Sequence, residues 1–147
     1  MSNANGGARV RFTAKVIQGW DGLIEGPLVV TRMRISFFGD IDLKTGAVVG
    51  ADLDIRGETI ADKIFVFSEG RGSTVGSNVL YGLAVNGCAP RLIATKRAEF
   101  ITISGAIYGG IPMVSHLSPT AFDVLTTGTR AQAYIRGDVA YLEVAAE

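Results

Sequence analysis

Four consecutive apolar residues, Ile64-Phe65-Val66-Phe67, run directly into the glycine-rich stretch Ser68-Glu69-Gly70-Arg71-Gly72-Ser73-Thr74-Val75-Gly76-Ser77. The run is short, unbroken by polar residues and rich in aromatic and β-branched side chains, so it predicts a strand buried on both faces. After the loop, Val79, Leu80, Leu83 and Ala84 recur at intervals of three and four, the spacing of one helix face starting near Ser77. Gly87 then Pro90 stop that helix, and Leu92-Ile93-Ala94 reads as another strand. Strand, loop, helix, strand is a βαβ unit, whose two strands must run parallel. This unit excludes all-helical and all-antiparallel folds.

The flanks supply the rest. Val10, Phe12, Ala14 and Val16 alternate with Arg11, Thr13 and Lys15, a half-buried strand over 9–17. Gly19-Trp20-Asp21-Gly22 is a turn, and a second strand is expected over 27–36, broken by Phe37-Phe38-Gly39-Asp40. Asp42 to Gly46 reads as a further turn, and Val48-Val49 as a short extended piece. A weak helical turn over 101–108, a strand over 111–114 and a short helix over 120–127 follow. Residues 131–135 and 139–144, split by Gly137-Asp138, form a terminal hairpin. The expected fold class is α/β: a central parallel sheet layered on antiparallel strands, with helices on one face. With 147 residues the chain suits a single domain over 9–147, and the small polar start, 1–8, reads as a disordered tail.

Composition removes several function classes. Lys plus Arg and Asp plus Glu are 14 each, so no net charge draws the chain to nucleic acid or to an anionic membrane. No apolar run approaches the length of a membrane span, and the start lacks a signal-peptide core, so a cytoplasmic location is expected. The single cysteine, Cys88, supports neither a disulfide framework nor an iron–sulfur cluster and reads as a small buried hydrophobe. One histidine, His116, makes no metal site and reads as a surface or capping residue.

The loop is where chemistry is expected. The first N–H groups of a helix lack internal partners and carry partial positive charge, which suits carboxylate, phosphate or an oxyanion. Gly70, Gly72 and Gly76 allow close backbone approach to a ligand, and Arg71 adds a planar fork of donors. Ser73 stands in the same field, which favours its alkoxide. A nucleotide-binding P-loop fits poorly: five residues separate Gly70 from Gly76, and Ser77 stands where the lysine belongs. A dinucleotide fingerprint also fits poorly, because Gly76 falls one place late. From spacing alone, an ordinary serine-capped turn competes with a ligand site.

A wider set of residues decides between them. Ser36-Phe37-Phe38-Gly39, Asp42, Thr45-Gly46, the block Gly70-Arg71-Gly72-Ser73-Thr74-Val75-Gly76-Ser77, Asn86-Gly87, Ala89-Pro90 and Ile111-Pro112 together resemble the small subunit of the aconitase X family. The resemblance extends from about Lys15 to Val144. It implies a swivelling β/β/α domain and a separate large subunit as partner. That subunit would carry an iron or iron–sulfur centre, with no cofactor in this chain. It implies a hydro-lyase acting on a small hydroxy acid, with Ser73 as general base. Gly70, Arg71, Gly72, Thr74, Gly76 and Ser77 would surround the substrate, although Ser77 is read first as a helix cap. Where ordinary aconitases carry an arginine after paired serines, Val75 stands here, and Arg71 is the available charge.

Two activities are known in the family, dehydration of cis-3-hydroxy-L-proline and of mevalonate 5-phosphate. The Ala- and Gly-rich, Lys-poor composition points to the first, and the Ser-Thr-Val-Gly-Ser block to the second. The expectation rests on hydroxyproline, with the mevalonate branch or a stand-alone anion-binding module as alternatives. Lys96-Arg97 reads first as a solvated basic pair, with contact to the partner or to a substrate phosphate as the alternative. Trp20 and the pair Phe37-Phe38 read as core, or as an interface with the large subunit where exposed.

Overall fold

The computed structural model describes residues 8–146. Expected residues 1–7 of the tail lie outside that range, but Ala8 is tied down: its carbonyl accepts from the Ala146 N–H at 2.8 Å. Seven strands, β1 (Arg9–Gln18), β2 (Gly22–Val30), β3 (Ile64–Phe67), β4 (Leu92–Thr95), β5 (Met113–Ser115), β6 (Arg130–Arg136) and β7 (Val139–Ala145), close into one barrel in the order β1-β5-β4-β3-β2-β6-β7. The helices are α1 (Phe37–Asp40), α2 (Val75–Val85), α3 (Phe100–Gly109) and α4 (Ala121–Val124).

Closure corrects the expectation of one sheet layered on another. Strands β2, β3, β4 and β5 are parallel neighbours, as the βαβ unit required. The antiparallel strands β6, β7 and β1 complete the circle. The joining element is β1. Its residues Arg9 to Lys15 pair with β7, and Lys15 to Gln18 pair with β5 through a register shift after Val16. One long strand thus hydrogen-bonds to both sets, and no sheet edge is left open.

Two cores result, one on each side of the barrel wall. Inside lie Phe12, Leu28, Ile64, Val66, Leu92 and Val114, together with Ala14, Ala94, Ala131, Ala133 and Ala140. The alanines are needed because a seven-stranded barrel has little interior volume. Residues from α4 and the turn after it, Ala121, Phe122 and Leu125, also belong to this core. Outside lie Phe65, Phe67, Ile93 and Met113, covered by Val79, Leu80 and Leu83 of α2 and Ala106 of α3. Adjacent residues of β3 and β4 therefore serve opposite cores, which is why these strands show no alternation of polar and apolar residues.

Helix α3 spans ten residues where only a weak turn was expected. Gly105 and Gly109 interrupt its apolar pattern for a packing reason. A Cβ on Gly105 would come within 2.6 Å of Leu80 Cδ1, and one on Gly109 within 3.2 Å of the Ala84 Cβ. The glycines let α2 and α3 lie close together. The helix starts at Glu99, whose carboxylate accepts from the Ile101 and Thr102 N–H groups at 2.9 and 2.8 Å.

The second strand is shifted from its expected bounds, 27–36, to Gly22–Val30. Its continuation still runs beside β3: Thr31 N–H donates to Val66 O at 2.9 Å and Ile35 N–H to Glu69 O at 3.1 Å. The aromatic pair does not simply break the chain. It forms α1, with Phe37 buried and Phe38 exposed. Cys88 is half-buried against the outer core, and its thiol contacts the Lys44 carbonyl at 3.2 Å. Trp20 is exposed rather than core. Among the described residues no helix is long and apolar enough to cross a membrane.

Candidate functional site

The glycine-rich loop leaves the carboxyl end of β3 between two supports. On one side Arg71 N–H donates to Ile35 O at 2.9 Å, extending the pairing of the chain after β2 with the loop. On the other side Gly70 lies against the start of α3. A Cβ there would collide with the Glu99 carboxylate and the Thr102 hydroxyl, the groups that begin that helix. Gly72 has φ +96°, and its missing Cβ would stand 2.8 Å from Ser36 Oγ. Both the left-handed backbone and the close approach therefore require glycine. Gly72→Ala is expected to cost about 1–3 kcal/mol of stability, read as a shift in the urea midpoint. A shift indistinguishable from zero would show that the loop relaxes freely.

The residues expected around the substrate divide into two groups. Arg71, Gly72, Ser73 and Thr74 are exposed at the loop tip. Gly70, Gly76 and Ser77 point inward as supports. Gly76 is buried, with its Cα facing Ile101 Cγ2 and Phe37 Cβ. Ser77 is 8% exposed, and its hydroxyl donates to the Ile101 carbonyl at 3.0 Å. It neither caps α2 nor faces the loop; it links α2 to α3.

The helix start is less vacant than its position alone suggests. Gly76 N–H donates to Ser73 O at 2.9 Å, and Ser77 N–H to Thr74 O at 3.1 Å. The Val75 N–H donates to Ser73 Oγ at 3.1 Å. Thr74 occupies the N-cap position in a helical conformation, and its side chain makes no capping bond. The first amides of α2 are therefore committed, and one of them is aimed at the Ser73 hydroxyl oxygen. The positive end of the helix acts on that oxygen rather than on a free ligand.

Arg71 lines a cleft of about 480 Å³ with Arg32, Met33, Arg34, Asp40, Ala51, Asp52 and Leu53. The buried Asp40 carboxylate accepts from the Ser36 N–H at 2.8 Å, fixing the start of α1 behind the loop. Ser36 belongs to the residues that carry the family resemblance, but Arg32 and Arg34 were not singled out from sequence. Their alternation with Ser36, i, i+2, i+4, along an extended segment is the available signal, hidden because an ordinary strand shows the same pattern. Lys96 follows β4 and lines a second cleft with Arg32 and Ser68, while Arg97 pairs with Glu69 at 3.3 Å. The basic pair is thus split between a cleft wall and an ion pair. His116, exposed after β5, has a left-handed φ of +56°. Among the described residues no three or more His, Cys, Asp or Glu side chains come together as a metal site.

The sequence profile of the aconitase X swivel domain matches residues 12–144. The chain is 46% identical over 123 residues to the phosphomevalonate dehydratase small subunit of Thermococcus gammatolerans, covering 84% of this chain and 90% of that one. Against the phosphomevalonate dehydratase small subunit of Archaeoglobus fulgidus it is 42% identical over 123 residues, covering 84% and 91%. The crystal structure of Thermococcus kodakaraensis aconitase X, in its holo-form, superposes with a TM-score of 0.81 at 39% identity, covering 90% of this chain and 98% of that chain. The barrel, the loop that leaves it and the match along nearly the whole domain place this chain in the aconitase X family, as its small, swivel-domain subunit.

Proposed function

We propose that this chain is the small subunit of a two-chain dehydratase that removes water from 5-phosphomevalonate, with Ser73 as the general base. The observation that carries the proposal is the Ser73 hydroxyl, exposed at the loop tip with the first amide of α2 directed at its oxygen. The relatives named above are phosphomevalonate dehydratase small subunits, which favours this substrate over the hydroxyproline expected from composition.

In 5-phosphomevalonate the leaving hydroxyl is on the carbon β to the carboxylate. Ser73 Oγ, as alkoxide, takes a proton from the carbon between them. The C–O bond at the β carbon breaks, a C=C bond forms, and the hydroxide departs as water by taking up the proton that Ser73 gives back, which restores the alkoxide. The Val75 N–H and the positive end of α2 lower the cost of the alkoxide. Arg71 holds the substrate carboxylate as a two-pronged donor. An iron or iron–sulfur centre, held by the large subunit, would assist departure of the hydroxyl as a Lewis acid. Closure of the swivel domain on that subunit excludes water and brings Ser73 to the substrate.

Co-expression with the large subunit tests this. The pair is expected to dehydrate 5-phosphomevalonate, and neither chain alone is expected to do so. Turnover of cis-3-hydroxy-L-proline with none of 5-phosphomevalonate would reverse the substrate assignment. Failure on both would remove the dehydratase reading.

A further inference from the structure

The carboxyl ends of β3 and β4 hold a cleft that the base chemistry at Ser73 does not use. Among the described residues, Ser68 Oγ is a buried side-chain oxygen with no hydrogen-bond partner. Leaving such a group unpaired costs about 1–3 kcal/mol, so a native fold that keeps one needs a reason. The backbone of Ser68 is held on both sides. Its N–H donates to Met33 O at 3.3 Å, and its carbonyl accepts from Lys96 N–H at 3.1 Å and Arg97 N–H at 3.0 Å.

Ser68 lines a cleft of about 310 Å³ with Arg32, Lys96, Pro119, Thr120, Phe122 and Asp123, its unpartnered oxygen turned beneath the surface. Arg32 is oriented by its ion pair with Asp123 and by a bond of 2.9 Å to the Phe122 carbonyl. Lys96 forms no ion pair among the described residues. A neighbouring cleft shares Lys96 and Pro119 and is lined by His116, whose left-handed backbone is strained. Such strain concentrates where surroundings fix a functional geometry.

We propose that this cleft is a subsite for the phosphoryl group of a phosphate monoester, bound by the Lys96 ammonium with Arg32 as the second cation, and by the unpartnered Ser68 hydroxyl, which turns outward to meet it. This assignment rests on the phosphorylated-substrate reading above and locates it in named residues. The carboxylate end of the substrate must lie at Ser73 for its neighbouring proton to be removed. The phosphoryl group at the far end then needs a separate cationic pocket. A hydroxyl donor on a held backbone, beside a lysine point charge, suits a tetrahedral anion with several acceptor oxygens. The competing cleft at Arg34 and Arg71 also shares Arg32, but it is lined by two carboxylates, Asp40 and Asp52, against the single Asp123 here, and it contains no orphaned buried hydroxyl among the described residues.

Two measurements decide the matter. In the full chain, labelled with nitrogen-15, inorganic phosphate and methyl phosphate are each expected to give saturable shifts of the Ser68, Lys96 and Arg97 amides. Lys96→Met should weaken both by about tenfold or more, with an otherwise unchanged spectrum. Shifts centred on Arg34 and Arg71, or no saturation, would overturn the assignment. Binding of inorganic phosphate without methyl phosphate would also overturn it, because the site would then serve free phosphate.

In the assembled enzyme, Lys96→Met and Ser68→Ala should each raise KM for 5-phosphomevalonate by about tenfold or more while kcat stays within about threefold. Unchanged KM in both variants would sink the subsite. If the wild-type pair does not turn over 5-phosphomevalonate, the substrate reading fails on its own. The methyl phosphate titration then still decides whether the cleft takes a monoester.

Discussion

Ser73→Ala in the assembled enzyme is expected to lower kcat by at least about 100-fold, with KM nearly unchanged and the complex intact. The magnitude is that of losing a positioned general base. The split between kcat and KM follows because the hydroxyl matters most when it takes the proton, not when substrate docks. Folding should tolerate the change. Ser73 is exposed, and its side chain makes one hydrogen bond, from the Val75 N–H at 3.1 Å. Losing that bond costs about 1 kcal/mol, comparable to removing a helix cap. Steady-state kinetics on the purified pair, with a thermal melt of the same sample, reads both effects. Turnover within about threefold of wild type would show that the proton is taken elsewhere.

The largest loss of stability is expected from Phe37→Ala, at about 3–5 kcal/mol, the usual cost of emptying a buried aromatic site. Phe37 is 1% exposed. Its ring meets those of Phe65 and Phe67 edge-on, at centroid distances of 6.3 and 5.7 Å. Those two residues line the outer side of β3, so the cavity would open between the barrel wall and the helix layer. A fall in melting temperature of about 10 °C corresponds to this loss for a domain of this size. The damage should also reach the loop. Helix α1 has four residues and is anchored by Phe37; Ser36 before it backs Gly72, and Phe37 Cβ backs Gly76. Turnover of the pair should therefore fall at temperatures well below the melt. A loss of stability under about 1 kcal/mol would mean that neighbouring side chains collapse into the space.

These two residues show how differently the parts of the molecule were readable. The loop motif and the helix after it were plain in the sequence, because turn glycines and helical spacing are local signals. The alternation in β1 and in the terminal hairpin was equally plain, since one face of each is wet. The extent of helix α3 is hidden in the sequence because Gly105 and Gly109 lower helix propensity, and the partners that justify them, Leu80 and Ala84, each lie 25 positions earlier, on α2. The inward orientation of Ser77 was missed for the same reason: Ile101, which accepts its proton, is 24 positions distant.

By itself the sequence determined the parallel βαβ unit, the place of the serine loop at a strand-to-helix junction, and the resemblance to the aconitase X family. These depend on residues close together in the chain, whose spacing sets backbone geometry directly. Only the tertiary structure decided that the strands close into a barrel, and that Gly70, Gly76 and Ser77 support the loop while Arg71 to Thr74 face outward. It alone brought Arg32, Ser68 and Lys96 to one cleft. Those outcomes depend on which strands pair across the molecule, and β1 shows why pairing is hidden from local pattern. Its alternation reports one wet face and one dry face, but not that β7 and β5 are its two neighbours.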